Sequence, residues 1–168
     1  FPKKFTKYGI DPSDSFPTNG IKNIKYFNDF FPSKKLSNKI KFDVITSIAM
    51  FYDLEDPSSF VKHIYNILKI DGIWIFEVSY MPEMLKLNSY DTICHEHLEY
   101  YSLEVIKKIV SINRMKIARV EFNKSNGGSI RCFITKKENC VFGTLRDKEK
   151  INKIIRDEIK AGLNTMKP

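Results

Sequence analysis

Phe42-Asp43-Val44-Ile45-Thr46-Ser47-Ile48-Ala49-Met50-Phe51 is the stretch that decides the fold. It is nearly continuous in apolar and β-branched residues, the pattern of a strand buried on both faces in a parallel sheet. Asp56-Pro57-Ser58-Ser59 then opens a helix, with Asp56 as N-cap and Pro57 at the first helical position. Phe60, Ile64, Ile67 and Leu68 recur with helical period, and Asp71-Gly72 is expected to close the helix as a glycine C-cap. Ile73-Trp74-Ile75-Phe76-Glu77-Val78 reads as a second buried strand. Strand, helix and strand within about 40 residues make the βαβ unit of a doubly wound α/β sheet.

Working outward, Tyr8-Gly9-Ile10-Asp11-Pro12-Ser13 reads as a strand end running into a turn, and Ile24 to Phe31 as another strand or strand-loop. On the other side, Ser102 caps a helix over Leu103 to Ile112. Strands follow at Lys116 to Phe122 and Ser129 to Thr135, expected as an antiparallel edge hairpin or a meander. Residues 145 to 163 form an amphipathic, highly charged helix with no obvious partner. The fold class expected is α/β with a Rossmann-like sheet, mostly parallel with an antiparallel edge. With almost nothing before the strand end at residue 8, the chain is expected to be an internal piece of a longer protein.

At 168 residues and 42% hydrophobic, the chain can bury a substantial core as one domain or most of one. It has no run of 18 apolar residues, and Phe1-Pro2-Lys3-Lys4 carries no apolar signal segment, so no membrane partner is expected. Cys94, Cys132 and Cys140 fit a reducing compartment, with the cytoplasm as default. The net charge of +8 raises nucleic acid as a partner. The lysines are scattered, however, and no nucleic-acid motif is present, so solvated faces are the better reading and no nucleic-acid partner is expected.

Chemistry concentrates in Tyr90-Asp91-Thr92-Ile93-Cys94-His95-Glu96-His97-Leu98-Glu99-Tyr100-Tyr101-Ser102, which holds two of the three histidines. Imidazole is suited to proton transfer and to metal binding. Three readings stand side by side: His95 and His97 as metal ligands with Cys94 or Glu96, one imidazole as a general base held by Glu96, or a polar turn bonding its own backbone. In open α/β sheets ligands bind beyond the carboxyl ends of the strands. There Asp11 can accept ribose hydroxyls or serve as a turn residue before Pro12, and Glu77 can face the cleft or the rim. Phe51, Tyr52 and Asp53 line that cleft or cap the core. Asn126-Gly127-Gly128-Ser129 allows close backbone approach to a ligand, or is a hairpin loop. The chain holds no Gly-x-Gly-x-x-Gly, Gly-x-Ser-x-Gly or lysine-bearing phosphate loop.

In this order, Tyr8 to Ser13, Phe42 to Ser47 with Asp56-Pro57, Leu68-Lys69-Ile70-Asp71-Gly72 leading into Ile75 to Val78, Tyr90 to His97 with Tyr100-Tyr101-Ser102, and Gly127-Gly128-Ser129-Ile130-Arg131 make a recognisable series. The chain resembles the sugar C-methyltransferase family, class I S-adenosylmethionine-dependent methyltransferases acting on nucleotide-linked keto-deoxysugars. The resemblance covers most of residues 8 to 138. It implies a class I methyltransferase sheet truncated at both ends. Residues 1–140 would be a partial methyltransferase domain, and 141–168 the start of a C-terminal domain or a linking helix.

The resemblance also implies roles. Asp11 looks like the residue that binds the ribose of S-adenosylmethionine, and His97 like the base that removes the proton alpha to the sugar's keto group, supported by Glu96 and His95. Glu77, Cys94 and Arg131 fall on the substrate side. No metal is expected in this chain; zinc belongs only to an N-terminal domain outside it, as the glycine-rich donor motif belongs before Phe1, and the piece alone is expected to be inactive. The family usually has tyrosine where Cys94 stands, and asparagine and histidine where Ala49 and Asp53 stand. Those departures keep two alternatives open: O- or N-methylation of another small molecule, and an inactive nucleotide-sugar-binding module.

Overall fold

The computed structural model describes residues 5–14, 24–36 and 39–165, so the Phe1 to Lys4 start lies outside the described residues. The chain divides into two compact units, residues 1–40 and 41–168.

In the first unit, β1 (Lys7–Asp11) and β2 (Ile24–Asn28) pair in parallel, with Asp11 opposite Asn28. Tyr8 and Phe27 stack with ring centroids 6.4 Å apart. The turn after β1 is stitched to β2. The Tyr26 hydroxyl donates to the carbonyls of Asp11 (2.8 Å) and Ser13 (3.1 Å), and Asn28 Nδ2 donates to Asp14 Oδ1 (2.9 Å).

The second unit is a four-stranded mixed sheet in the order β3-β4-β6-β5. Its strands are β3 (Phe42–Ile48), β4 (Leu68–Ser79), β5 (Met115–Asn123) and β6 (Ser129–Lys136). β3 and β4 run parallel, joined by α1 (Pro57–Ile67), as the βαβ reading expects. The Asp56 side chain accepts from Ser59 N and Pro57 opens the helix, so the N-cap is as read. The last two strands do form an antiparallel hairpin, but it inserts so that β6 pairs with β4 and β5 takes the edge.

One face of this sheet carries the core. Trp74, Phe76, Val78, Val120, Ile130, Cys132 and Ile134 are all at most 1% exposed. Phe60 of α1 lies 6.2 Å from Trp74 by ring centroids. Helix α3 (Leu103–Ile112), capped by the Ser102 side chain, packs on β5 and on α1. The charged helix α4 (Leu145–Lys160) also finds a partner, packing on β5 and α3. Its start is fixed by a capping box between Thr144 and Asp147.

Two expectations are corrected. Asp71-Gly72 is not a C-cap: α1 stops at Ile67, Leu68 is already extended, and Gly72 lies inside β4. Opposite Phe42 and Val44, β4 advances from Leu68 to Ile73, an irregularity that throws out Lys69, Ile70 and Asp71. A Cβ on Gly72 would meet Leu68 Cγ and the Phe42 carbonyl oxygen at 3.0 Å, so glycine serves close packing there. Nor is β3 buried on both faces, since Val44 is 42% and Ile48 49% exposed. Among the described residues it is an edge strand of its sheet, and that face of it is left open.

Candidate active site

The site is built at the carboxyl end of β3. There Ala49 adopts φ 53°, a left-handed conformation that costs a residue with a Cβ roughly 1 kcal/mol or more. Its N–H donates to the Glu77 carbonyl (2.9 Å), which ties the turn to β4. Phe51, 1% exposed, plugs the turn into the core against Phe76 (4.7 Å), Tyr101 (5.3 Å) and Phe60 (5.7 Å). Thus Phe51 caps the core, and that anchor fixes where the next residues, Tyr52 and Asp53, stand.

The histidine segment comes from a long excursion between β4 and α3. Its base is closed by a parallel bridge between Tyr80 and Tyr101, reinforced by Met81 N donating to the Tyr101 carbonyl (3.1 Å). Helix α2 (Met81–Leu87), which the sequence reading omitted, begins it and ends on left-handed Asn88. A 3-10 turn over Tyr90–Thr92 follows, then a tight turn in which His97 N donates to the Cys94 carbonyl (3.2 Å). The hairpin loop of Asn126-Gly127-Gly128 packs on this excursion. Gly127 and Gly128 have φ 73° and 120°, and a Cβ on Gly128 would come 2.9 Å from Glu83 Cβ. The close approach that those glycines permit is therefore to α2.

His97 is the half-buried histidine of the turn; His95 and Glu96 are exposed. Its Nδ1 lies 2.8 Å from the Thr92 carbonyl. A carbonyl only accepts, so Nδ1 carries the hydrogen and the neutral ring keeps its lone pair on Nε2. The Tyr52 ring lies against the imidazole, centroids 4.2 Å apart. The Tyr52 carbonyl accepts from Leu98 N (2.9 Å) and Glu99 N (3.1 Å), fastening the segment beside the end of β3.

Burial pushes the Asp53 carboxyl up from its ordinary value, with His97 opposing and Glu96 adding to the shift. Burial first, then Asp53 and Cys94, push the Tyr52 phenol up. Asp53, Cys94 and Glu96 are therefore within electrostatic reach of the Tyr52–His97 pair.

Several of the site residues stand differently from the reading. Glu96 does not hold His97: its Oε1 is 4.0 Å from His95 Nε2, with 93% and 75% of the His95 and Glu96 side chains exposed. The group that orients His97 is the Thr92 carbonyl, and a backbone oxygen has no signature in a sequence. Glu77 and Arg131 sit opposite each other on β4 and β6 and bind each other, Arg131 Nε to Glu77 Oε2 at 2.6 Å. Cys94 is an exposed free thiol in the turn. Among the described residues no group of three His, Cys, Asp or Glu side chains is arranged to hold a metal ion, so the metal reading of His95 and His97 lacks its third ligand.

In the first unit Asp11 ends β1 as expected and is exposed. Its Oδ1 accepts from Ser13 N (2.8 Å), and hydrogen bonding from Ser13 holds the carboxyl below its ordinary value. Asp11 thus presents an exposed carboxylate at the carboxyl end of a parallel strand, where ligands bind in open α/β sheets. A concavity of about 790 Å³ lies elsewhere, between α2, the hairpin and α4, lined by Tyr80, Pro82, Leu87, Phe122 and Ile154.

A family model described as a methyltransferase domain matches residues 2–111. The chain belongs to that family. It is similar to the C-methyltransferase NovU of Streptomyces niveus, 32% identical over 83 residues. The matched stretch is 49% of this chain and 20% of NovU, so the chain spans about a fifth of the curated relative it matches. Among solved structures it is similar to a methyltransferase in complex with the Haloferax volcanii Trm112 activator, with TM-score 0.63, 13% identity, and 78% of this chain and 73% of that one covered. It is also similar to magnesium protoporphyrin IX methyltransferase (ChlM) from Synechocystis PCC 6803 with bound SAH, with TM-score 0.56, 15% identity, and coverage of 77% and 63%. These likenesses show the α/β Rossmann-like methyltransferase fold. Among the described residues, no helix is long and apolar enough to cross a membrane.

Proposed function

We propose that the protein is an S-adenosylmethionine-dependent C-methyltransferase acting alpha to the keto group of a nucleotide-linked deoxysugar, with His97 as the base. The observation that carries this reading is the Nδ1 bond to Thr92, which leaves the Nε2 lone pair as the proton acceptor. The proton passes to Nε2, and the electron pair stays with the alpha carbon and its carbonyl as an enolate. Asp11 holds the donor ribose, and the donor, when bound, supplies an electrophilic methyl on sulfonium. The chain's task is then to align the sugar and deprotonate it in place.

The NovU likeness supports carbon as the methylated atom, and the Tyr90 to His97 segment supports the sugar. On this reading residues 1–140 are a partial methyltransferase domain and 141–168 the start of a C-terminal domain or a linking helix, in the cytoplasm. The test uses the complete gene product. Calorimetric titration with S-adenosylhomocysteine and then a dTDP-keto-deoxysugar should give micromolar binding of both. Solvent deuterium should exchange into the sugar's alpha carbon without the methyl donor. Methyl transfer with no exchange would point to O- or N-methylation; failure to bind S-adenosylhomocysteine would discard methyl transfer.

A further inference from the structure

We propose that Tyr52 is the positioning residue for His97, holding the imidazole so that its Nε2 edge meets the substrate. This rests on the reading of His97 as the base. Three contacts converge. The Tyr52 ring lies 4.2 Å from the imidazole, tilted by 48°. Its carbonyl accepts from the two N–H groups that follow His97. Its hydroxyl donates to the Ala49 carbonyl (3.1 Å), which fixes the ring itself.

The support behind Tyr52 is stiff. Phe51 is buried in the aromatic core, and Ala49 is tied to Glu77 in a backbone conformation that is rare for residues with a Cβ. The line from β4 through Ala49 and Tyr52 to His97 is thus tied at each step by a hydrogen bond or a ring contact. On the imidazole, Thr92 takes Nδ1 and Tyr52 takes a face, which leaves the Nε2 edge for chemistry. A reacting group displaced by about 1 Å can lose on the order of 10²-fold in rate, so such a clamp has consequences for turnover.

The side chain and the carbonyl can be separated by mutation, because substitution leaves the two backbone bonds in place. In the complete protein, Tyr52→Ala should lower kcat roughly 10- to 100-fold with little change in S-adenosylhomocysteine affinity. Tyr52→Phe keeps the ring and should restore kcat to within about threefold. Tyr52→Leu retains apolar volume and replaces the alanine variant if that one fails to fold. The spectroscopic readout is the ¹⁵N signature of the His97 ring in the unliganded protein. The wild type and Tyr52→Phe should give the Nδ1–H tautomer, while Tyr52→Ala or Tyr52→Leu should give a mixture and lose the upfield ring-current shift of the His97 carbon-bound protons. Wild-type kcat together with an unchanged tautomer in those variants would overturn the proposal. If the wild type transfers no methyl group, the function reading fails separately, and the tautomer alone then decides whether Tyr52 positions His97.

Discussion

Two polar clusters flank the excursion between β4 and α3, and they are built in opposite ways. At its base, Glu158 of α4 is 3% exposed and fully engaged. It accepts from the Tyr80 hydroxyl (2.6 Å), Leu103 N (2.7 Å) and Glu104 N (2.9 Å). Two of those donors are the otherwise orphaned N–H groups that open α3, where a carboxylate also meets the positive end of the helix. At its tip, His97 has one ring nitrogen engaged and the other held ready, in a turn whose neighbours His95 and Glu96 face solvent. The difference separates scaffold from site. A buried carboxyl group whose partners are all satisfied holds the fold, whereas a ring with one nitrogen engaged keeps the other available.

The sharpest way to break that contrast is His97→Asn. Turnover of the complete protein should fall on the order of 10²–10⁴-fold, while its thermal midpoint and its affinity for S-adenosylhomocysteine stay near wild type. Full activity in this variant would remove His97 from the chemistry. Glu158→Ala should show the reverse. It strands three donors at the α3 N-terminus and should cost about 3 kcal/mol or more in denaturant unfolding. A loss under about 1 kcal/mol would mean that water replaces the carboxylate, and that the base of the excursion is less closed than its burial implies.

The legibility of these regions in the sequence follows their physics. β4 was readable because its apolar run is buried, whereas β3 carries almost the same pattern and is half exposed. Pattern identifies a strand, but the strand's neighbours decide its burial. The Asp71-Gly72 pair imitates a helix C-cap so well that local rules misplace it, since the bulge opposite Phe42 is a tertiary fact. Glu77 and Arg131 were both read toward the substrate, but cross-strand register, invisible in one sequence, pairs them with each other. His97 stood out because histidine is rare in this chain. Thr92 could not, because its contribution is a backbone oxygen. Glu158 was hidden among the charges of an amphipathic helix, where only packing reveals which carboxylate is buried.

Tyr80 extends the comparison into alkaline solution. Burial first, then the hydrogen bond to Glu158, raise its phenol well above the ordinary tyrosine value. In the unfolded chain it deprotonates near pH 10, but in the folded protein it keeps its proton. Its contribution is therefore complete below about pH 10 and is lost as pH rises beyond that, by no more than about 1.4 kcal/mol per pH unit for one proton. Tyr80→Phe should cost roughly 2 kcal/mol at neutral pH and make the alkaline loss of stability shallower. An unchanged alkaline slope in urea titrations would place the missing proton elsewhere.

Tyr101, bridged to Tyr80 through the backbone, is the finest test. It is equally buried, at 2% exposed against 5%, and burial likewise raises its phenol. Its hydroxyl, however, has no hydrogen-bond partner among the described residues. Leaving a buried hydroxyl unmade costs free energy, whereas removing the group altogether does not. Tyr101→Phe keeps the ring against Phe51 and deletes only the unsatisfied oxygen, so it should leave stability unchanged or raise it by up to about 1 kcal/mol. The same one-atom change thus has opposite signs at two neighbouring tyrosines, and the sign depends only on whether Glu158 is within reach. A clear loss of stability in Tyr101→Phe would mean that a bound water or substrate group satisfies that oxygen, which would move the floor of the active site inward, toward the aromatic core beneath Phe51.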